Sequence, residues 1–274
     1  MTDRYAVIGN PVAHSKSPFI HAEFARQTGQ DLSYGRLLAP LDGFFEQVHD
    51  FRAEGGKGLN VTLPFKLEAF AIAQELSTRA NDAGALNVLK FEGAVIFGDN
   101  TDGVGLVRDI ASNLGFRIAE REILLMGAGG AAQGAVGPLL HARPKRLVIA
   151  NRTPAKAQRL VERFRGGGRF DDVAFTSSAY SELKGRQFDL IINATAASLN
   201  DSIPELPEGI FAPGSLAYDM MYGKTTPFLE FALRQGAGRV ADGTGMLVEQ
   251  AAESFLLWRG VRPDTRSVIE ALKV

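Results

Sequence analysis

Ile123-Leu124-Leu125-Met126-Gly127-Ala128-Gly129-Gly130-Ala131-Ala132 is the stretch that decides the fold class of this chain. A short apolar run passes without a linker into a glycine-rich turn, and the turn opens an apolar helix that extends to about His141. Strands buried on both faces read as continuous apolar runs, and a strand that feeds straight into such a turn and helix opens a βαβ unit. Gly127-x-Gly129-x-x-Ala132 lets the backbone approach a pyrophosphate, whose charge then faces the unpaired N–H groups of the helix N-terminus. A merely tight strand-to-helix turn has the same spelling, so the motif takes its weight from its neighbours.

Those neighbours repeat the pattern. Residues 146–150, 189–193 and 216–220 are further apolar strands, which predicts an α/β, Rossmann-type doubly wound domain over residues 104–243. NAD-binding folds place Asp or Glu after the second strand, about 20 residues on, to accept the ribose hydroxyls. Here that place holds Asn151-Arg152-Thr153, with Lys156 a turn further. A carboxylate would repel a 2′-phosphate, whereas a guanidinium clamps it through charge-assisted hydrogen bonds. The expected cofactor is therefore NADP. An ordinary reading stays open beside it, with Arg152 a solvated side chain and Thr153 the cap of a helix that starts at Pro154.

The first half is also α/β, with a mostly parallel sheet expected. Residues 5–9 read as a strand, 18–28 as a helix closed by Gly29, 58–63 as a strand stopped by Pro64, and 65–76 as a helix. Residues 87–91 and 94–98 bracket Glu92-Gly93 as a hairpin turn. The boundary falls near Asp102, before a helix at 104–114, giving a first domain of residues 1–103. The last helix, residues 245–258, is strongly apolar and needs a partner surface. Residues 163–169, with three consecutive glycines, read as a surface turn.

Composition narrows the function classes. With 274 residues, 45% hydrophobic and 22% charged, the chain can form two globular cores. A formal net charge of −1 supplies no general attraction to nucleic acid or to an anionic membrane. Having no cysteine, it makes no disulfide, thiolate metal site or cysteine nucleophile. No segment approaches the roughly 20 apolar residues needed to cross a bilayer. Residues 1–12 have a short polar lead and one short apolar run, unlike a signal peptide, so the expected location is cytoplasmic.

Small polar residues crowd the strand ends of the first half. The strand period of two puts Asn60 and Thr62 on one face, with Leu59, Val61 and Leu63 on the other, and Lys66 follows Pro64. Ser15 and Ser17 alternate likewise. Each has an ordinary explanation: Ser17 as a helix N-cap, Asn60 and Thr62 as half-exposed strand residues, Lys66 as a solvated lysine, Asp102 as the cap of the next helix.

Four strings carry a resemblance. Val7-Ile8-Gly9-Asn10-Pro11-Val12-Ala13-His14-Ser15-Lys16-Ser17-Pro18 is similar to the opening signature of shikimate dehydrogenases. Gly58-Leu59-Asn60-Val61-Thr62-Leu63-Pro64-Phe65-Lys66, Asn100-Thr101-Asp102-Gly103 and Gly245-Met246-Leu247-Val248-Glu249-Gln250-Ala251-Ala252 resemble the family's later blocks, in its order. The resemblance implies reversible NADPH-dependent reduction of 3-dehydroshikimate to shikimate, by a monomer or homodimer. It implies that Lys66 and Asp102 are the catalytic pair, and that Ser15, Ser17 and Tyr222 hold the substrate carboxylate. Asn60, Thr62, Lys66, Asn87, Asp102 and Gln250 would read the ring hydroxyls and the reacting ketone. Gly127, Ala128, Gly129, Gly130, Ala131, Asn151, Arg152, Thr153, Lys156, Thr195, Met220 and Gly243 would line the cofactor site. The last helix, within residues 244–274, would return to the first domain carrying Gln250.

Three departures stand out. Ser198 stands where glycine is usual, residues 85–88 read Ala-Leu-Asn-Val for the commoner Ala-Val-Asn-Thr, and Pro227 is displaced in residues 222–227. His14 is the rival acid, since histidine titrates near neutral pH. His21, His49 and His141 lack metal-ligand spacing, so no metal is expected. The competing functions are an NAD-using quinate/shikimate dehydrogenase, disfavoured by Arg152, and a non-catalytic NADP-sensing module, which would need only the second half.

Overall fold

The computed structural model describes residues 2–165, 169–195 and 206–273. The chain divides into two compact units, one of Met1–Gly105 with Val248–Leu272, the other of Leu106–Leu247.

The first unit runs β1 (Asp3–Gly9), α1 (Ser17–Thr28), β2 (Leu32–Leu38), α2 (Phe44–Ala53), β3 (Gly56–Val61), α3 (Lys66–Ile72), β4 (Glu75–Leu76), α4 (Thr78–Ala83), β5 (Val88–Glu92) and β6 (Val95–Asp99). Its sheet has the order β2-β1-β3-β5-β6-β4. β1 pairs in parallel with β2 and β3, while β3, β5 and β6 pair antiparallel. Ile8, Leu59, Val61, Phe65, Leu86 and Leu89 form its core with Phe44 and Val48 of α2. Elsewhere in the unit Trp258 stacks on Tyr5 at 4.6 Å and donates to the carbonyl of Leu89 at 3.1 Å. Gly58 makes room for that indole, because a Cβ there would lie 2.5 Å from its nitrogen.

Several sequence expectations shift here, each for a local reason. β3 stops at Val61, and Leu63 is 65% exposed instead of facing the core with Leu59. The chain turns at Pro64, Phe65 N–H donating to the Thr62 carbonyl at 3.1 Å, so that Phe65 fills the core instead. The helix expected over 65–76 ends at Ile72, because Gln74 N–H and Ser77 N–H bond the carbonyls of Ile96 and Gly98 and draw the segment onto the sheet as β4. Ser17 is the first residue of α1 rather than its cap. Lys16 holds the cap position without a side-chain cap bond, and Ser15 Oγ accepts from the Ser17 N–H at 3.2 Å. Glu92 pairs with Val95, which moves the hairpin turn to Gly93-Ala94. Asp102 likewise lies inside α5 (Asp102–Arg108), which continues in a π-helical turn, Asp109–Asn113.

The second unit contains β7 (Glu122–Met126), α6 (Gly130–His141), β8 (Arg146–Ala150), α7 (Pro154–Arg165), β9 (Ala174–Ser178), β10 (Phe188–Asn193), β11 (Phe211–Asp219), α8 (Pro227–Arg234) and β12 (Arg239–Ala241). All strands are parallel, in the order β12-β11-β10-β7-β8-β9. This is the doubly wound arrangement, with strand order reversing between β7 and β10. Apolar clusters cover both faces, which is why these strands read as unbroken apolar runs. β11 begins five residues before the expected 216. α9 (Thr244–Arg259) then carries the chain back into the first unit, followed by α10 (Arg266–Leu272).

Candidate active site

Lys66 opens α3 directly after the turn that ends β3. Its ammonium Nζ donates to Asp102 Oδ2 at 2.5 Å, and the two side chains are 21% and 12% exposed. Asp102 Oδ1 accepts from Asn87 Nδ2 at 2.8 Å. The orientation of that amide follows from its other end, where Asn87 Oδ1 accepts from the Thr101 backbone N–H at 2.8 Å. A backbone N–H can only donate, so Nδ2 faces Asp102 and, at 3.3 Å, Gln250 Oε1. Gln250 reaches this place because Gly105 is bare, a Cβ there lying 2.7 Å from the Gln250 nitrogen. The first unit thus brings Lys66, Asp102, Asn87 and Gln250 into one cluster. An ammonium held by one carboxylate keeps two further N–H donors for an incoming oxygen.

The remaining first-unit candidates lie nearby in the fold. Asn60 is buried at the end of β3, between Tyr34 and Ser254. Ser15 Oγ donates to Ser17 Oγ at 3.2 Å, and Arg36 Nη2 fixes the Ser15 carbonyl at 2.6 Å. Thr62 is half-buried against Gly9, where a Cβ would lie 2.4 Å from its methyl group. His14 is exposed. Sequence reasoning missed Thr101, Tyr34 and Ser254. Ser254 lies four residues after Gln250 on α9, a spacing that placed it on the same helix face.

His21 is fully buried, and burial lowers its pKa to about 3, with Asn60 beside it acting in the opposite sense. Its ring nitrogens make no hydrogen bond of good geometry. The unfolded value is about 6.5, so the unfolded chain takes up this proton first and the folded state holds the ring neutral. Its contribution is complete above about pH 6.5 and declines as pH falls toward the folded value, by up to about 1.4 kcal/mol per pH unit. Denaturant unfolding followed through Trp258, the single tryptophan, should show this slope between pH 6 and pH 4.5 and lose it in His21→Phe. Equal slopes in the two proteins would rule His21 out as its source.

The second unit presents the glycine turn at the reversal of strand order. Gly127 has φ 109°, and a Cβ there would sit 3.0 Å from the Ala194 carbonyl that follows β10. Gly129 caps α6 with no side chain, and Gly129 and Gly130 are exposed to open space on the side a Cβ would occupy. Backbone N–H groups at a helix N-terminus, with no described residue within 4 Å of a Cβ at Gly129 or Gly130, fit a pyrophosphate. Ala128 and Ala131 are half-buried beside them. After β8, Arg152, Thr153 and Lys156 are exposed, and Asn151 Nδ2 donates to the Thr153 carbonyl at 3.0 Å. Burial pushes the Tyr180 hydroxyl up to about 12, and the positive charge of Arg152 draws it the other way. No acidic side chain occupies positions 151–153, so these residues fit the phosphate of NADP.

Thr195 is tied down by its N–H and Oγ1, both donating to Asn193 Oδ1 at 3.1 and 2.7 Å. Met220 is half-buried, and Gly243 packs against it so closely that a Cβ would lie 2.3 Å from the Met220 carbonyl. Tyr222 belongs to the second unit, and burial raises its pKa. Ser198 and the glycines at 166–168 lie outside the described residues. Among the described residues no group of three His, Asp or Glu side chains could hold a metal, and no helix is long and apolar enough to cross a membrane.

Three family models match the chain: the shikimate dehydrogenase substrate binding domain at residues 7–89, shikimate/quinate 5-dehydrogenase at 109–201, and the shikimate 5′-dehydrogenase C-terminal domain at 243–273. A shikimate dehydrogenase (NADP(+)) of Nitrosospira multiformis is 62% identical over 100% of this chain and 98% of its own. The crystal structure of an Ael1 enzyme from Pseudomonas putida superposes with a TM-score of 0.93 at 52% identity, covering 100% of this chain and 99% of that one. Shikimate 5-dehydrogenase of Thermus thermophilus, in complex with NADP(H) and shikimate, gives 0.87 at 31% identity over 99% of both chains. Identity of this degree along the whole length, together with a cationic cofactor turn, makes the chain a member of the NADP-dependent shikimate dehydrogenase family.

Proposed function

We propose that this chain reversibly reduces the ketone of 3-dehydroshikimate to shikimate with NADPH, a step of aromatic amino-acid biosynthesis. The observation that carries the reading is the Lys66–Asp102 pair at 2.5 Å, with Asn87 and Gln250 on the same carboxylate network. NADPH, when bound, supplies the hydride that reaches the ketone carbon. The carbonyl oxygen then becomes alkoxide-like, and the Lys66 ammonium gives it a proton; in the reverse direction the Lys66 amine takes that proton back. Asp102 holds the amine in place and accepts from a neighbouring ring hydroxyl.

Ser15, Ser17 and Tyr222 hold the substrate carboxylate through hydroxyl donors. Asn60, Thr62, Asn87 and Gln250 read the ring. Gly127, Ala128, Gly129, Gly130 and Ala131 receive the pyrophosphate, and Asn151, Arg152, Thr153 and Lys156 receive the 2′-phosphate. Thr195, Met220 and Gly243 complete the cofactor site. Residues 1–103 with 244–274 are the substrate domain and 104–243 the cofactor domain. The enzyme works in the cytoplasm, as a monomer or homodimer.

Initial rates at the nicotinamide absorbance band test this, with shikimate and quinate each offered with NADP and with NAD. Turnover of shikimate with NADP well above the other three pairs is the expected result. Equal rates with quinate and NAD would point to the broader quinate/shikimate enzyme instead. Silence with all four pairs would overturn catalysis.

A further inference from the structure

Asn60 is 6% exposed, and every polar atom of its side chain already has a partner. Oδ1 accepts from the Tyr34 hydroxyl at 2.7 Å. Nδ2 donates to Ser254 Oγ at 2.9 Å and lies 3.3 Å from the carbonyl of Asn87. Ser254 spends its single hydrogen on the Gln250 carbonyl one helical turn back, at 2.9 Å. It must therefore accept from Asn60, and the Asn60 amide has only one orientation. Both Nδ2 hydrogens point at acceptors within the protein. Oδ1 has two lone pairs; Tyr34 takes one, and the neighbouring His21 ring makes no hydrogen bond of good geometry to the other. What Asn60 can offer a ligand is a single acceptor lone pair.

We propose that Tyr34 is a positioning residue for substrate recognition: with Ser254 it fixes the Asn60 amide so that Asn60 accepts from a ring hydroxyl and offers nothing to the ketone. This rests on the function proposed above and deepens it by separating Asn60 from the groups that serve the reacting oxygen. Tyr34 is itself held in place. The His21 ring lies flat against it, centroids 4.1 Å apart and planes within 5°, and Trp258 closes from 6.3 Å. Burial pushes the Tyr34 hydroxyl well above the ordinary tyrosine range, so it stays a donor at every working pH; the Ser17 hydroxyl beside it draws the other way. Tyr34 thus adjoins both the Ser15–Ser17 pair and Asn60. Without its hydroxyl the amide keeps its orientation through Ser254 and the Asn87 carbonyl but loses the bond that fixes the direction of Oδ1.

A double-mutant cycle read as KM for shikimate, with NADP saturating, tests the proposal. Tyr34→Phe should raise that KM about fivefold, the worth of one neutral hydrogen bond, and leave kcat and KM for NADP within about twofold. Asn60→Ala should raise it by at least as much. Adding Tyr34→Phe to Asn60→Ala should change KM by less than about twofold, because the effect of Tyr34 on the ring runs through Asn60 rather than through Ser17. The same fivefold rise on both backgrounds would show that Tyr34 acts without Asn60, through Ser17 or directly, and would overturn the proposal, as would an unchanged KM in Tyr34→Phe alone. A wild type silent with shikimate and NADP would remove the parent function, and this proposal with it, through a control that carries no substitution.

Discussion

Lys66→Ala should lower kcat by about 10²- to 10⁴-fold, the range for loss of a positioned acid–base group, with KM for shikimate held within a few fold. The asymmetry is the informative part. An interaction needed only as charge develops on the oxygen lowers kcat without weakening the ground-state complex. The ring would still have Asn60, Thr62, Asn87 and Gln250 to read it, and Asp102 would still accept from Asn87 at 2.8 Å. Lys66→Arg separates charge from proton transfer. It keeps a cation beside Asp102, but a guanidinium does not release its proton in a protein, so kcat should remain low. Wild-type kcat in Lys66→Arg would mean that the site needs only a positive charge. A Lys66→Ala enzyme that kept its kcat would shift attention to His14, the exposed histidine of the loop after β1.

What the sequence made legible was whatever a short window decides. The run at 123–132 combines strand, glycine turn and helix within ten residues, and β7, Gly127 and α6 follow it closely. The segment 65–76 misled for the opposite reason. Its apolar residues fit a helix throughout, but Gln74 and Ser77 find backbone partners on β6, some twenty residues away, and the last turn is drawn into the sheet. Lys66 and Asp102 are 36 positions apart with no local signal joining them, so their pairing was reached through resemblance and not through spacing. Tyr34 was invisible because it lies on a half-exposed edge strand that no apolar alternation marks strongly. Hydrogen-bond direction, which restricts Asn60 to accepting, exists only once Ser254 and Gln250 are placed.

Arg152→Ala should raise KM for NADP by about 10- to 100-fold, the loss of one or two charge-assisted hydrogen bonds, while KM for NAD changes little. The residue sits where the second strand of a doubly wound sheet ends, in a turn braced by the Asn151 Nδ2 bond to the Thr153 carbonyl, with Lys156 adding a second cation one helical turn later. All three of Arg152, Thr153 and Lys156 are exposed, so the attraction is screened and the NADP advantage should shrink as ionic strength rises. Arg152→Asp should go further and reverse the preference, since its carboxylate repels the 2′-phosphate and accepts from the ribose hydroxyls of NAD. Steady-state kinetics with both cofactors at two salt concentrations distinguish the possibilities. An unchanged NADP constant in Arg152→Ala would assign the phosphate to Lys156 and the backbone N–H groups before α7. In that case the discrimination between the two cofactors would come from the missing carboxylate rather than from the arginine that replaces it.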